Sequence, residues 1–152
     1  MNQITSLLTS DNVVAALEVG SKKRLFEHVG RLLENDRGLT SGRIFDALFS
    51  REKLGSTGLG LGVAIPHGRI KGLAQAVGAF VRLAAPINFD APDGQPVDLV
   101  FVLLVPEVAT EQHLQLLSEL AEMFSQRPVR NALLAAPDEA ALRAIFAAWQ
   151  AS

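Results

Sequence analysis

The sequence predicts a single α/β domain in which strands and helices alternate along the chain and pack in layers. The chain has 152 residues, which suffices for one domain with a buried core. Its composition, 49% hydrophobic and 20% charged, is that of a globular protein. Short apolar runs typical of strands alternate with longer segments whose apolar residues recur at helical spacing. Neither a repeat nor a linker divides the sequence, so the predicted domain spans residues 1–152.

A strand and a helix are predicted first. Residues 12–20 form a short apolar run that is expected to be a strand, and Ser21 is suited to cap the helix that follows. One face of that helix is apolar and consists of Leu25, Val29, Leu32 and Leu33. Gly38 is expected to mark its end.

A second helix is predicted to lead toward a glycine-rich stretch. Thr40 or Ser41 can cap its start, and Gly55 is expected to stop it. Arg51 and Lys53 therefore fall in its last turn. Both basic side chains are therefore expected next to the start of the glycine-rich stretch.

The second half of the chain predicts two strands and then two helices. Residues 76–83 and 97–105 are apolar runs, and the second is apolar on both faces, which is typical of a central strand. Thr110 is expected to cap a helix over residues 111–125. A last helix is expected to begin at Pro137, because proline and acidic residues favour a first turn.

Charge and composition argue against several classes of function. The formal net charge is -2 and no basic stripe occurs, so nucleic acid is not an expected partner. The longest apolar run, residues 99–105, is far shorter than the roughly 20 residues that cross a bilayer, and no signal peptide is evident. We expect a cytoplasmic protein without membrane insertion. The absence of cysteine excludes disulfides and thiolate chemistry.

The glycine-rich stretch, residues 54–70, does not match either common nucleotide-binding motif. It lacks the Gly-Lys-Ser/Thr ending of a phosphate loop, and Ile65 stands where the dinucleotide fingerprint needs its third glycine. The glycines are instead expected to permit positive φ angles and close backbone approach beside a functional group. An ordinary turn-rich loop is the alternative.

His67 stands between Pro66 and Gly68, which predicts a stiff stem with open space on one side. A neutral imidazole can attack phosphorus through one nitrogen while the other donates to a backbone carbonyl and fixes the tautomer. The predicted product is a phosphohistidine. The alternative is a loop histidine whose hydrogen bonds are merely structural.

A phosphohistidine carries about two negative charges, so cations and donors are expected near it. Arg51 and Arg69 are the candidates, since the guanidinium group fits phosphoryl oxygens; their alternative is solvated surface charge. His113 is expected on the apolar face at a helix amino terminus, where anions are favoured, or else as a buried structural histidine. Neither a metal nor another cofactor is expected.

The segment "REKLGSTGLGLGVAIPHGRI", residues 51–70, resembles the active-site segment of the enzyme IIA domains of the bacterial phosphoenolpyruvate-dependent phosphotransferase system, fructose/mannitol type. Within that family it is most similar to the nitrogen-regulatory branch. The resemblance covers essentially the whole chain. It implies a mixed β-sheet covered by helices on both faces.

The resemblance also implies residue roles and partners. His67 matches the histidine that accepts a phosphoryl group through Nε2 from a small histidine phosphocarrier (HPr-like) protein. Arg51 and His113 match the arginine and second histidine that support the phosphoryl group. Gly68 and Arg69 are further candidates only because they follow His67 in the sequence. Members of the nitrogen branch regulate other proteins, including potassium transporter and sensor components, according to their phosphorylation state.

The partner-accessible site implied by this mechanism is expected to have an apolar rim that includes Leu59, Leu61 and Ile70. Three alternative functions stay open. The chain could be a sugar-transport enzyme IIA that passes phosphate to a IIB partner, or a non-catalytic interaction module. It could also be a zinc hydrolase, with His67 and His113 joined by one of the carboxylates Asp90, Asp93 or Asp98.

Overall fold

A mixed six-stranded sheet forms the centre of the protein in a computed structural model that describes residues 3–8, 11–34, 39–108 and 111–150. The strands are β1 (Val13–Leu17), β2 (Gly58–Gly60), β3 (Val63–Ala64), β4 (His67–Ile70), β5 (Val77–Ile87) and β6 (Val97–Pro106). The helices in these ranges are α1 (Gln3–Leu7), α2 (Lys22–Leu33), α3 (Ser41–Lys53), α4 (Glu111–Ser125), α5 (Arg127–Ala135) and α6 (Glu139–Ala148).

The sheet is built around β6. The strand order is β1-β5-β6-β3-β2, and β4 also pairs with β6. β5 runs antiparallel to β6, whereas β3 and β4 both run parallel to it and follow each other along its other edge. β1 is parallel to β5, and β2 is antiparallel to β3. β6 is therefore the central strand that its apolar sequence predicted.

Helices cover both faces of this sheet, which confirms the predicted fold class. One apolar cluster joins the sheet to α2 and α3, and a second joins it to α1, α4, α5 and α6. The second cluster contains a group of phenylalanines in mutual ring contact, Phe80, Phe101, Phe124 and Phe146. The sheet thus separates two cores, and residues at its edge can contact both helical layers.

Helix caps agree with the sequence at two of the predicted starts. Ser21 accepts a hydrogen bond from the backbone N–H of Arg24, and Thr40 accepts one from Arg43. The last helix begins later than predicted, because Asp138 rather than Pro137 forms its cap. The predictions for Gly38 and Thr110 lie outside the described residues. Among the described helices, none combines the length and apolar character needed to cross a membrane.

Candidate functional site

His67 is the first residue of β4 and is held in the sheet by β6. It pairs with Leu103, and Gly68 pairs with Leu104. Because side chains alternate along a strand, His67 faces the layer of α4, whereas Gly68 and Ile70 face α3. Ile70 is 3% exposed and belongs to the core beneath α3, so the expectation that it forms part of the site rim is wrong.

The ring of His67 is oriented by the backbone directly before it. Its Nδ1 lies 2.9 Å from the carbonyl oxygen of Ile65. A carbonyl only accepts hydrogen bonds, so Nδ1 carries the proton and Nε2 carries the free electron pair. The prediction that a backbone carbonyl fixes the tautomer is confirmed. The carbonyl of Pro66 meanwhile accepts the N–H of Leu103, which keeps the chain in the sheet.

The surroundings of His67 favour its neutral form. Burial lowers the pKa of the imidazole below 6.5, the hydrogen bond to Ile65 opposes this effect, and the positive charge of Arg51 adds to it. Glu52 raises the pKa and Arg69 lowers it, with smaller effects. The net result is an uncharged imidazole near neutral pH, which is the form that can act as a nucleophile.

All five residues predicted for the site line one cavity of about 450 Å³: Arg51, His67, Gly68, Arg69 and His113. The remaining wall is largely apolar and is formed by Ala47, Ser50, Leu54, Leu103, Val105, Leu114 and Leu117. The site lies where the end of α3, the start of α4 and the edge strand β4 meet. It therefore combines cationic groups with a largely apolar wall.

Arg51 reaches the cavity from the last turn of α3. One guanidinium nitrogen donates to the carbonyl oxygen of Gly55 at 2.9 Å, which ties the side chain to the segment that leaves the helix. The guanidinium group has further N–H donors in a planar fork. Arg51 is half-buried, so it is anchored and still able to bind an anion.

Close backbone contact explains the glycine after the histidine. A Cβ atom at position 68 would lie 2.9 Å from the carbonyl oxygen of Ala47, which is too close for any other residue type without a shift of α3. Gly60 at the end of β2 and Gly62 in the turn before β3 have φ angles of 86° and 82°. Both uses of glycine that the sequence suggested, close approach and positive φ, therefore occur in this segment.

The exposed leucines around the site differ in part from those predicted. Leu59 and Leu61 are exposed as expected, and Leu59 lines a smaller cavity of about 220 Å³ that also contains Arg51 and His67. Leu54 and Leu114, both on the wall of the main cavity, are 85% and 65% exposed.

Sequence reasoning missed Glu52 and Thr57, which form a buried polar cluster behind the site. The Glu52 carboxylate accepts hydrogen bonds from the Thr57 hydroxyl at 2.6 Å and from the Thr57 backbone N–H at 3.2 Å. Lys22 forms an ion pair with it at 3.1 Å. One sequence feature could have revealed this cluster. Glu52 is a carboxylate in the last turn of a predicted helix, where the helix dipole disfavours negative charge, so it needs a stabilising partner.

The zinc hypothesis requires a group of metal-ligating side chains around the candidate histidines. Within the ranges that the structure describes, no three His, Cys, Asp or Glu side chains are grouped so that they could hold a metal ion. Asp90 binds Lys22, and Asp93 accepts hydrogen bonds from the backbone N–H groups of Leu61 and Gln95. These two carboxylates are thus engaged in contacts that do not involve either candidate histidine.

Comparison with known proteins identifies the family to which the chain is similar. Residues 6–149 match the family described as "Phosphoenolpyruvate-dependent sugar phosphotransferase system, EIIA 2". The chain is 46% identical over 143 residues to a nitrogen regulatory protein of Pseudomonas aeruginosa, which covers 93% of each protein. It is 54% identical to the crystal structure of nitrogen regulatory protein IIA-Ntr from Neisseria meningitidis, with a TM-score of 0.92 over 95% of this chain and 99% of that one.

A more distant structure shares the fold. Mannitol IIA from Escherichia coli is 19% identical and superimposes with a TM-score of 0.76, covering 91% of this chain and 98% of that one. The family match, the close relatives and the shared architecture agree with the resemblance seen in the sequence. The chain belongs to the EIIA 2 family of the phosphoenolpyruvate-dependent sugar phosphotransferase system.

Proposed function

We propose that the protein accepts a phosphoryl group on Nε2 of His67 from a small histidine phosphocarrier protein and regulates other proteins through its phosphorylation state. The observation that carries this proposal is the hydrogen bond from Nδ1 to Ile65, because it leaves Nε2 as the nucleophilic nitrogen in a cavity that contains two arginines. The names of the relatives, nitrogen regulatory proteins, favour the nitrogen-related branch of the phosphotransferase system.

The transfer exchanges one phosphorus–nitrogen bond for another. Nε2 of His67 attacks the phosphorus of the carrier's phosphohistidine while the bond to the carrier's imidazole breaks, and that imidazole keeps the electron pair. The proton on Nδ1 of His67 stays in its hydrogen bond to Ile65. Such a reaction depends mainly on in-line positioning and on stabilisation of the charge on the phosphoryl oxygens.

We assign the stabilisation of that charge to three side chains. Arg51, anchored on Gly55, presents its planar fork to the phosphoryl oxygens, and Arg69 adds positive charge from the same strand as His67. His113 lies in the first turn of α4, where the helix dipole favours an anion. Gly68 contributes by absence of a side chain, since it lets β4 and α3 approach closely beside the nucleophile.

The exposed leucines around the cavity are suited to contact the carrier. Leu54 and Leu114 are large apolar side chains that water surrounds in the isolated protein. A partner that covers them would bury apolar surface and exclude water from the transferring group. We assign the same face to the regulated targets, among which potassium transporter or sensor components are expected, so a phosphoryl group on His67 would alter their binding directly. The proposal retains the expected cytoplasmic location.

The experiment is phosphorylation by phosphoenolpyruvate and the two upstream carrier proteins. The label is expected to be stable in alkali and labile in acid, as a phosphohistidine is, and His67→Ala is expected to abolish it. His28→Ala, which removes a histidine on α2, serves as the matched control and is expected to be labelled like the natural protein. Label that persists in His67→Ala would refute the proposal.

The same assay distinguishes the two branches of the family. Carriers of the nitrogen-related system and of the sugar system are compared in parallel, and the faster donor identifies the branch. We expect the nitrogen-related carrier to be faster. A faster sugar carrier, together with transfer onward to a IIB protein, would instead favour the sugar-transport alternative.

A further inference from the structure

We propose that Glu52 is a positioning residue that holds the nucleophile of the site in its reactive tautomer, through hydrogen bonds that run over Thr57 and Ile65 to His67. The inference rests on the proposed function, since it concerns how His67 is prepared for phosphoryl transfer. Glu52 itself does not line the cavity. It acts through the backbone that leads from α3 to β4.

The series of hydrogen bonds begins at the Glu52 carboxylate, which several groups hold in place. The Glu52 side chain is 4% exposed, and it lies next to Arg51 at the end of α3. The Thr57 hydroxyl donates to it at 2.6 Å, and the Thr57 N–H donates to both of its oxygens at 3.2 Å. Lys22 supplies the balancing charge at 3.1 Å and also binds Asp90 at 3.0 Å. Glu52 thus fixes Thr57 at the entrance to β2.

Two backbone hydrogen bonds carry this constraint to the histidine. The carbonyl oxygen of Thr57 accepts the N–H of Ile65 at 3.1 Å. The carbonyl oxygen of Ile65 then accepts Nδ1 of His67 at 2.9 Å. Ile65 therefore links Thr57 to His67, because its N–H binds Thr57 and its carbonyl oxygen binds His67. A movement of Thr57 would tilt Ile65 and misalign the acceptor that keeps the proton on Nδ1.

The identity of the residue at position 52 needs a cause beyond packing. A buried carboxylate at a helix carboxyl end is opposed by desolvation and by the helix dipole. An apolar residue could fill the space between α2 and α3 without either cost. The carboxylate is the group that can accept two hydrogen bonds from Thr57 and so fix the direction of its backbone. Its charge also raises the pKa of His67, opposing Arg51.

The test uses two isosteric variants in the full chain, Glu52→Gln and Thr57→Val, with Thr57→Ser as the conservative rescue. Thr40→Ala is the matched control, because it removes a hydrogen bond at the opposite end of the same helix and should cost about 1 kcal/mol of stability. The tautomer and pKa of His67 are measured by nitrogen-15 NMR. The phosphorylation rate is measured against the concentration of the phosphorylated carrier.

In Glu52→Gln and Thr57→Val we expect His67 to exchange between both tautomers and, for Glu52→Gln, to show a lower pKa than in the natural protein. The rate at saturating carrier should fall about tenfold, by analogy with the low end of the effects seen when a group that orients a metal-binding histidine is removed, while KM stays unchanged. Thr57→Ser should restore the natural tautomer and rate. Thr40→Ala should keep both.

Folded variants in which His67 keeps the natural tautomer would overturn the inference, whatever happens to its pKa. So would a Thr40→Ala variant with the same loss of tautomer, since lowered stability alone would then explain the effect. The NMR measurement needs no phosphoryl donor. A failure of the proposed function, seen as absence of label in the natural protein, is thereby distinguished from a failure of the link between Glu52 and His67.

Discussion

Gly68 and Ala47 approach each other so closely that a Cβ atom at position 68 would stand 2.9 Å from the carbonyl oxygen and 3.0 Å from the Cβ of Ala47. We therefore expect Gly68→Ala to lower the free energy of unfolding by about 1–3 kcal/mol, as overpacking does. Urea denaturation measures this. The control is Gly42→Ala, in the same helix α3 as Ala47, where an added methyl group meets no atom within 4 Å. Helix propensity predicts that it is neutral or stabilising. Equal losses in both variants would contradict the explanation.

The pKa of His67 gives a second prediction. An NMR titration should place it below 6.5, mainly because of burial. Arg51→Gln should raise it, since the loss of a nearby positive charge makes protonation easier. Lys53→Gln, which removes a charge of the same sign from an exposed position on the same turn, should change it little. A pKa of His67 above 6.5 in the natural protein would contradict this account.

The same shift predicts how stability depends on pH. The unfolded chain binds a proton on His67 near the ordinary pKa of 6.5, before the folded chain does. Stability is therefore reduced below the pKa of the folded state and recovers as pH rises toward 6.5 and above. The free energy of unfolding in His67→Gln should lack this part of the pH dependence. Urea denaturation between about pH 5 and pH 8 provides the comparison.

Arg82 supports a fourth prediction, which concerns stability away from the site. Its guanidinium group donates to the carbonyl oxygens of Ala15, Leu133 and Ala136 at 2.7 to 2.8 Å, so it joins β1 and β5 to the end of α5. Arg82→Met leaves these acceptors unpaired and should cost about 2–3 kcal/mol.

Phosphorylation of the folded Arg82→Met variant should proceed normally, because Arg82 does not line the cavity. Arg24→Met, which removes an exposed ion pair with Glu27, is the control and should change stability little. A cost of Arg82→Met as small as that of Arg24→Met would show that the three hydrogen bonds contribute nothing.

The apolar rim supports a fifth prediction. Leu114→Ser removes a side chain that is 65% exposed on the wall of the cavity, so it should leave stability unchanged. KM for the phosphorylated carrier should rise about tenfold, equivalent to ~1.4 kcal/mol of binding energy, with the saturated rate unchanged. Leu134→Ser, at an exposed position on α5, is the control. Equal effects of the two variants would argue against docking at this rim.

Much of the fold follows from local patterns in the sequence. α2 and α3 begin at the predicted caps, because Ser21 and Thr40 satisfy free N–H groups that any helix start must satisfy. β6 is central because its uninterrupted apolar run cannot face water on either side. The site residues around His67 could be predicted for a different reason. The glycine-rich segment and the histidine after it form a recognisable motif.

Other elements exist only through contacts distant in sequence. β4 is four residues long and contains Gly68, so it has little strand preference of its own, and β6 supplies the pairing that makes it a strand. α5 was not predicted, because Leu133 is its only buried apolar residue and gives no periodic signal. The cluster of Glu52 and Thr57 depends on a chain reversal after α3, which no local pattern specifies.

β3 and β4 lie end to end on one edge of β6, and His67 stands at the start of the second of these strands. The backbone under the proposed phosphorylation site is thus paired with the largely buried central strand β6, which restricts its deformation. A phosphoryl group there would add about two negative charges to a surface of fixed shape. The two states would then differ in electrical potential rather than in conformation, over a range of about 8 Å at physiological salt. A target would distinguish them by whether its own charges are attracted or repelled.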